Sequence, residues 1–409
     1  MNCSTRTYRL LTYVGALGFS LSNRNTPFVS AFISKSFGNH RVFPTSSRSI
    51  SSLKGLASSG DLDTTPAESF LENLSTLTLI EHINLNVPNH DYILDFYLNV
   101  LGFGLDPRRA QNVNKGNGTV WCNAGASQFH LPYGEEAQVI PGSIGLWYDS
   151  LDALKERLAN YDDMDEKPFA QYSIESEGDE RESVRIMDNY GNVFYCRKEN
   201  VPILFEHNDS DQLVEEMIRT TKQPILTNQE DDVQQYAAAA TTYGLGKDEE
   251  TECKGISYVE IFVPRKKAAK LAEFYECVFD APATVFTDPS SGDDVAIVGF
   301  GSIDPDTGRS SQTLLFRESD IELPPYDGHH IALYVGTSKA DFEEAFKNVL
   351  EAQVVWVNPR FSDRVTNMNT AKKWKQFRFK NLTDLKTGKK IIELEHEVRS
   401  VEHDAWPGN

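Results

Sequence analysis

Four short stretches carry side chains able to bind a metal or move a proton. In HINLNV, His82, Asn84 and Asn86 share one strand face, opposite Ile83, Leu85 and Val87. In HIALYV, His330, Ala332 and Tyr334 oppose Ile331, Leu333 and Val335. In KKIIELE, Glu393 and Glu395 oppose Ile392 and Leu394, and QFHLP holds His130. Imidazole with carboxylate suits Zn, Fe, Co or Ni better than Mg or Ca, which prefer all-oxygen shells. Such a site needs ligands converging from different strands. A single strand histidine is more often hydrogen-bonded or solvated than ligating. A polar face opposite an apolar one also fits a half-exposed antiparallel sheet, so the pattern alone leaves both readings open.

The elements that would position these residues are repeated. One copy reads HINLNVPNHDYILDFYLNVLGF, from His82 to Phe103; the other reads YVEIFVPRKKAAKLAEFYECVFDA, from Tyr258 to Ala281. Each is an alternating strand ending Val-Pro, then an amphipathic helix carrying Phe-Tyr, then a turn, so the chain holds two related modules. Each module divides again. Strand Ile144 to Tyr148, a helix from Leu151 to Ala159, and strands Ser183 to Asp188 and Val193 to Arg197 follow in the first. Gly255 to Arg317 and Gly328 to Val398 repeat the order in the second. The expected fold is α+β, with four β-α-β-β-β units. Processing sequence and linker occupy 1–75, the first module 76–200, an acidic linker 201–254, the second module 255–400 and a tail 401–409.

The strand–helix–FYxxVLGF run resembles the vicinal oxygen chelate superfamily: glyoxalase I, bleomycin-resistance proteins and extradiol dioxygenases. The resemblance implies two cupped, barrel-like mixed sheets, with a site in the concave face. It also implies metal ligands on the first and last strands of a unit. Those positions hold His82 and His130 in the first unit and His330 and Glu393 in the fourth. In the second they hold Ser143 and Tyr195, and in the third Tyr258 and about Leu314. Ligand-type residues thus survive only in the outer units. In double-length glyoxalase I chains the first unit packs with the fourth, which would gather His82, His130, His330 and Glu393 around one divalent ion and leave one dead site. Asn84, Asn86, Tyr334, Glu395 and Arg109 are then candidate substrate contacts.

Three functions follow from the resemblance. The first is a metal-dependent lyase or isomerase acting on a small α-hydroxycarbonyl or enediolate-type substrate, with Glu393 as catalytic base. The second is a non-haem Fe(II) dioxygenase, whose ligand set is two His and one carboxylate; a fourth ligand, His130, would crowd its open positions. The third is a non-catalytic small-molecule binder of the bleomycin-resistance type. His329 is expected to point away from the site, and His90, His207, His396 and His403 to be solvated.

The bulk sequence narrows the partners. The 409 residues carry a formal charge of −20, which argues against nucleic acid or an anionic membrane as partner. The expected partner is a small-molecule substrate, in a monomer or homodimer. Residues 1–60 contain no acid but seven Lys or Arg and many Ser. With the apolar stretch Leu10 to Leu21 and the Val29-Ser30-Ala31-Phe32 motif, they resemble the two-part plastid address of algae with secondary plastids; a mitochondrial presequence is the alternative. The apolar stretch is too short and interrupted to span a membrane. Five widely spaced cysteines without a CxxC argue for a reducing compartment rather than a disulfide framework.

Overall fold

The computed structural model describes residues 76–115, 118–175, 182–198, 251–288, 291–303 and 310–406. The expected presequence, and nearly all of the expected linker with its His207, lie outside these residues. Among the described residues no helix is long and apolar enough to cross a membrane.

Among the described residues fifteen strands form two sheets. In the first unit β1 (Leu77–Asn84) leads into α1, which starts as a short α-turn over His90–Tyr92 and continues with π-type bonding over Ile93–Val100. Strands β2 (Gly104–Leu105), β3 (Thr119–Ala124) and β4 (Ser127–Pro132) follow, with a short helix α2 (Gln111–Lys115) before β3. The second unit is β5 (Gly142–Tyr148), α3 (Asp152–Asn160), β6 (Phe169–Glu175), β7 (Ser183–Asp188) and β8 (Val193–Arg197). The third is β9 (Cys253–Pro264), α4 (Ala268–Phe279), β10 (Ala283–Thr287), β11 (Asp294–Ile303) and β12 (Ser310–Ser319).

The fourth unit departs from the expected pattern. It has β13 (His330–Val335), α5 (Lys339–Glu351), α6 (Met368–Trp374), β14 (Gln376–Thr383) and β15 (Lys390–Ser400). Its second strand is reduced to one bridge, Val355 against Phe379. In its place a loop carries Asn358, Arg360, Phe361 and Asp363 back toward the sheet. Ser338 and Asp341 form a capping box that fixes the start of α5, satisfying amides at that helix end.

The seven-stranded sheet runs β14-β15-β13-β1-β4-β3-β2, and the eight-stranded sheet β10-β11-β12-β9-β5-β8-β7-β6. The first unit therefore shares a sheet with the fourth, and the second with the third. The junctions are antiparallel, β1 with β13 and β9 with β5. Burial explains why the helices form where they do. Ile93, Phe96, Tyr97 and Val100 on α1 are fully buried, as are Leu271, Phe274, Tyr275 and Val278 on α4. Each is the apolar stripe of an amphipathic helix, worth roughly 1.5–3 kcal/mol per large side chain removed from water. The polar faces of the central strands are buried too. All eight residues of β1 and all six of β13 are buried, which rules out the half-exposed sheet.

Two histidines expected in solvent are core residues. His90 is 4% exposed, and its Nδ1 lies 3.2 Å from the Asn112 carbonyl. His396 is fully buried, stacked 4.2 Å from Phe379. Its Nδ1 donates to the Leu394 carbonyl at 2.8 Å, and its Nε2 accepts from the Tyr275 hydroxyl at 2.7 Å. Both nitrogens are satisfied in the neutral ring. Burial accordingly lowers its pKa from 6.5 to about 3. The unfolded chain then binds a proton below pH 6.5 that the folded chain refuses. Stability is full above that pH and falls as pH drops toward 3, by about 1.4 kcal/mol per pH unit for this group. Metal-free protein should show a urea midpoint that declines from pH 7 to pH 5. In His396→Gln the decline should be shallower, and an equal slope would contradict this assignment.

Candidate metal centre

The site is built on the junction of β1 and β13. His82 pairs in register with Ala332, and Asn84 with His330. On the far side of β13, strand β15 runs parallel and sets Glu397 opposite Ala332. Both His82 and Glu397 therefore flank one small residue, which leaves room between them. One ligand atom each from His82, His330 and Glu397 lies within 4.8 Å of the others, and all three residues are buried.

Glu393, expected as the carboxylate, is not there. It pairs with Lys380 at 3.0 Å and Lys390 at 3.2 Å, with its side chain 28% exposed. Glu397, four residues further along the same strand face, stands in the cup instead. The cause is strand length. Tyr195 on β8 and Glu397 on β15 hold equivalent registers, against Gly145 and Ala332 respectively. Counting from the preceding glycine turn misses this because β15 has 11 residues and β8 only 5. The alternation Glu393, Glu395, Glu397 put three acids on one face; only pairing with β13 selects among them.

His130 is in the cup but turned aside. Its ring stacks on His82 at 3.7 Å with planes 24° apart, and on Trp121 at 4.6 Å. Imidazole lone pairs lie in the ring plane, so two nearly parallel stacked rings do not aim at one ion. Its Nε2 is 3.2 Å from Gln128 Oε1, and Gln128 is anchored in turn to Asp106 and Asn123. Arg108 and Arg109 lie over the ring of Trp121, at 4.8 and 4.7 Å. Arg109 thus reaches the cup only through Trp121 and His130.

A bulge supplies a residue that strict alternation hides. The β1–β13 register slips between Ile80 and His82. Such an extra residue can bring neighbouring side chains to one face. Glu81 Oε2 accordingly lies 3.0 Å from His82 Nδ1. The backbone groups of Ile80 are taken up by the Gln312 side chain, which accepts from the amide at 2.8 Å and donates to the carbonyl at 3.3 Å. A carboxylate only accepts, so His82 Nδ1 carries the proton and Nε2 keeps a lone pair. That Nε2 is buried with no hydrogen-bond partner. A histidine held by a carboxylate through one nitrogen, with the other free, is the arrangement that metal-ligating histidines adopt.

Two buried arginines frame the carboxylate. Arg378 bonds Asp363 at 2.9 Å, Glu395 at 3.0 Å, and Glu397. Arg399 bonds Glu397 at 2.6 Å and Glu81 at 2.5 Å. All six side chains of this network are buried. Four carboxylates against two guanidiniums leave two negative charges in low dielectric, which a divalent ion would neutralise. Burial opposes charge on Glu397, but Arg378 and Arg399 hold its pKa well below the usual range. Burial, reinforced by the neighbouring guanidiniums, drives His82 and His330 well below 6.5, so both rings are neutral and able to ligate.

The remaining candidates divide. Asn84 is buried with its Oδ1 unpartnered, facing the cup beside His330 and His130. Tyr334 is buried against Trp406 at 4.5 Å. Asn86 accepts from Arg360 at 3.2 Å, toward the rim. Glu395 is occupied by Asn358 and Arg378. His329 is engaged by Asp327 at 2.6 Å, outside the cup.

The other sheet's cup is filled. Tyr258, Val295 and Leu315 form a small apolar cluster, with Tyr195 and Ile297 packed on it. Leu315, rather than Leu314, faces this cup. Gly145 pairs with Tyr258 as Ala332 pairs with His82, but a Cβ on Gly145 would meet the Tyr258 ring at 2.1 Å. Ser143 donates to Glu260 at 2.8 Å, and Arg317 holds Glu260 at 2.7 Å. Among the described residues no imidazole enters this cup, and Tyr258 plugs it.

No family model and no curated protein matches the chain. Solved structures do. A glyoxalase I mutant from Zea mays is 11% identical, covering 82% of this chain and 96% of that one, with TM-score 0.45. A putative dioxygenase from Bacillus subtilis is 14% identical over 80% of this chain and 87% of that one, with TM-score 0.43. The 2,3-dioxygenase LapB from Pseudomonas sp. KL28 is 13% identical over 80% and 93%, with TM-score 0.26. Paired units in two mixed sheets are the fold class that the resemblance in the sequence implies. Identities at this level leave the reaction and substrate open.

Proposed function

We propose that this chain is a divalent-metal enzyme in which His82, His330 and Glu397 hold one ion, acting on a small substrate that offers two adjacent oxygens. The observation that carries this reading is the buried, unpartnered Nε2 of His82, oriented by Glu81 and close to His330 and Glu397. An ion bound there would supply Lewis-acid polarisation and, as iron(II), one-electron chemistry toward dioxygen.

Between the two reactions expected, the residues favour the oxygenase. Proton-transfer chemistry needs a base that can leave the ion and take a substrate proton. Glu393 sits between two lysines away from the cup. Glu397 has one oxygen bonded by Arg399 and the other by Arg378, and its lowered pKa makes it a poor base. With His130 stacked aside, the ligand set is two imidazoles and one carboxylate, with coordination positions left for substrate and a second reactant. The chain's own contribution is to orient the ligands, keep both imidazoles neutral and wall the reaction with His130, Trp121 and Phe361.

The test begins with metal analysis of purified protein. Anaerobic reconstitution with iron(II) should then give oxygen uptake with vicinal diphenols. Isomerisation of a hemithioacetal under zinc, nickel or cobalt without oxygen uptake would establish the lyase instead. Protein that takes up no ion would be a binding module.

A further inference from the structure

We infer that Arg399 is a positioning residue that couples the carboxylate ligand to the histidine ligand across three strands. The inference rests on the metal reading above. In the sheet order β15-β13-β1, Glu397 and His82 stand on strands that do not touch. One guanidinium spans the gap. Its Nε and Nη2 hold Glu397 Oε1 at 2.6 and 2.5 Å. Its Nη1 holds Glu81 Oε2 at 2.5 Å. The same Glu81 oxygen lies 3.0 Å from His82 Nδ1. The result is an unbroken chain, Glu397–Arg399–Glu81–His82, in which every member is at least nine-tenths buried.

Each link has one physical task. A planar fork with fixed donor directions can hold two carboxylates at a set angle, which a lysine ammonium cannot. Glu81 turns that position into an orientation of the His82 ring. Arg378 cannot substitute, because it rises from β14, on the far side of β15 from β1, and its other bonds go to Asp363 and Glu395. Arg399 thus determines the separation and mutual tilt of two ligands, while β13 supplies the third, His330, directly.

The experiment is a double-mutant cycle read on metal affinity. Wild type, Glu81→Gln, Arg399→Lys and the double variant are titrated with cobalt(II) against a competing chelator, and their metal-free thermal unfolding is recorded. Each single change should weaken cobalt binding by about 10- to 100-fold, the usual loss when a partner of a ligand is removed. The double variant should lose little more than the worse single variant, because both act through one chain. Losses that multiply, or an affinity within about twofold of wild type in a folded single variant, would overturn the inference. Glu81→Gln is nearly isosteric and keeps an acceptor for His82, so it decides the matter if Arg399→Lys does not fold. Wild type that binds no cobalt would overturn the metal reading itself; wild type that binds while the variants bind equally would overturn only the coupling.

Discussion

Glu397→Gln is expected to lower metal affinity by at least about 100-fold, while Glu393→Gln leaves it within about twofold. The two residues share a strand face and differ only by two pleats, so composition and strand propensity are matched between the variants. What separates them is register. Glu397 lies opposite Ala332, beside His82 and His330, whereas Glu393 pairs with Asn381 of β14 and with two lysines. A glutamine at 397 keeps the side-chain volume and one acceptor oxygen but removes the charge the ion needs. His330→Ala should act as strongly, since it removes the ligand on the central strand. Competition titration with cobalt(II) measures all three. Equal losses at 393 and 397 would mean that the β13–β15 register is not the one described.

The largest effect on stability is expected from Arg378→Met. Asp363, Glu395 and Glu397 all bond this guanidinium, which is 3% exposed. Methionine approximates the stem but leaves Asp363 and Glu395 in low dielectric without this counterion, and Glu397 with Arg399 alone. Breaking one side of a buried pair typically costs 3–5 kcal/mol, and here one residue serves three partners. Against a typical total of about 5–15 kcal/mol, the metal-free variant should sit near its unfolding midpoint without urea. Saturating divalent metal should recover part of the loss, because the ion supplies positive charge to Glu397. A urea midpoint within experimental error of wild type would show that the network is solvated and weak.

Much of this was legible in the sequence, and the parts that were not share a cause. The duplicated strand–helix pattern beginning at His82 and Tyr258 identified the units, because amphipathic periodicity is local. His82, His130 and His330 were legible as residues of one cup, since each lies on a repeat position. Glu397 was not, because choosing among three alternating acids requires knowing how far β15 runs. Glu81 was not, because a bulge places it on the side that alternation assigns to His82 alone. Nothing in the sequence pattern marks Arg378 or Arg399: Arg378 is buried against the loop at Asn358–Asp363, which replaces a strand, and Arg399 between Glu397 and Glu81 of distant strands. His130 was expected as a ligand; it stands beside His82, but the tilt of its ring depends on Trp121, a contact between neighbouring strands.

The exchange of partners between units also sets an order of assembly. The eight-stranded sheet takes its strands from the middle of the chain, and its plugged cup can close before the fourth unit has been synthesised. The seven-stranded sheet cannot. β1 must wait for β13, whose residues emerge some 250 positions later, so the working cup depends on the most distant contacts in the chain, the slowest kind to form. Until then β1, paired with β4 on one side, would present an open edge on the other, with unpaired backbone groups available to any strand nearby. A nascent or truncated chain ending after Ser319 would thus hold a finished inert half and an adhesive unfinished one. The tyrosine-plugged half would then be ready first, and the half that gathers His82, His330 and Glu397 would be the last part of the molecule to form.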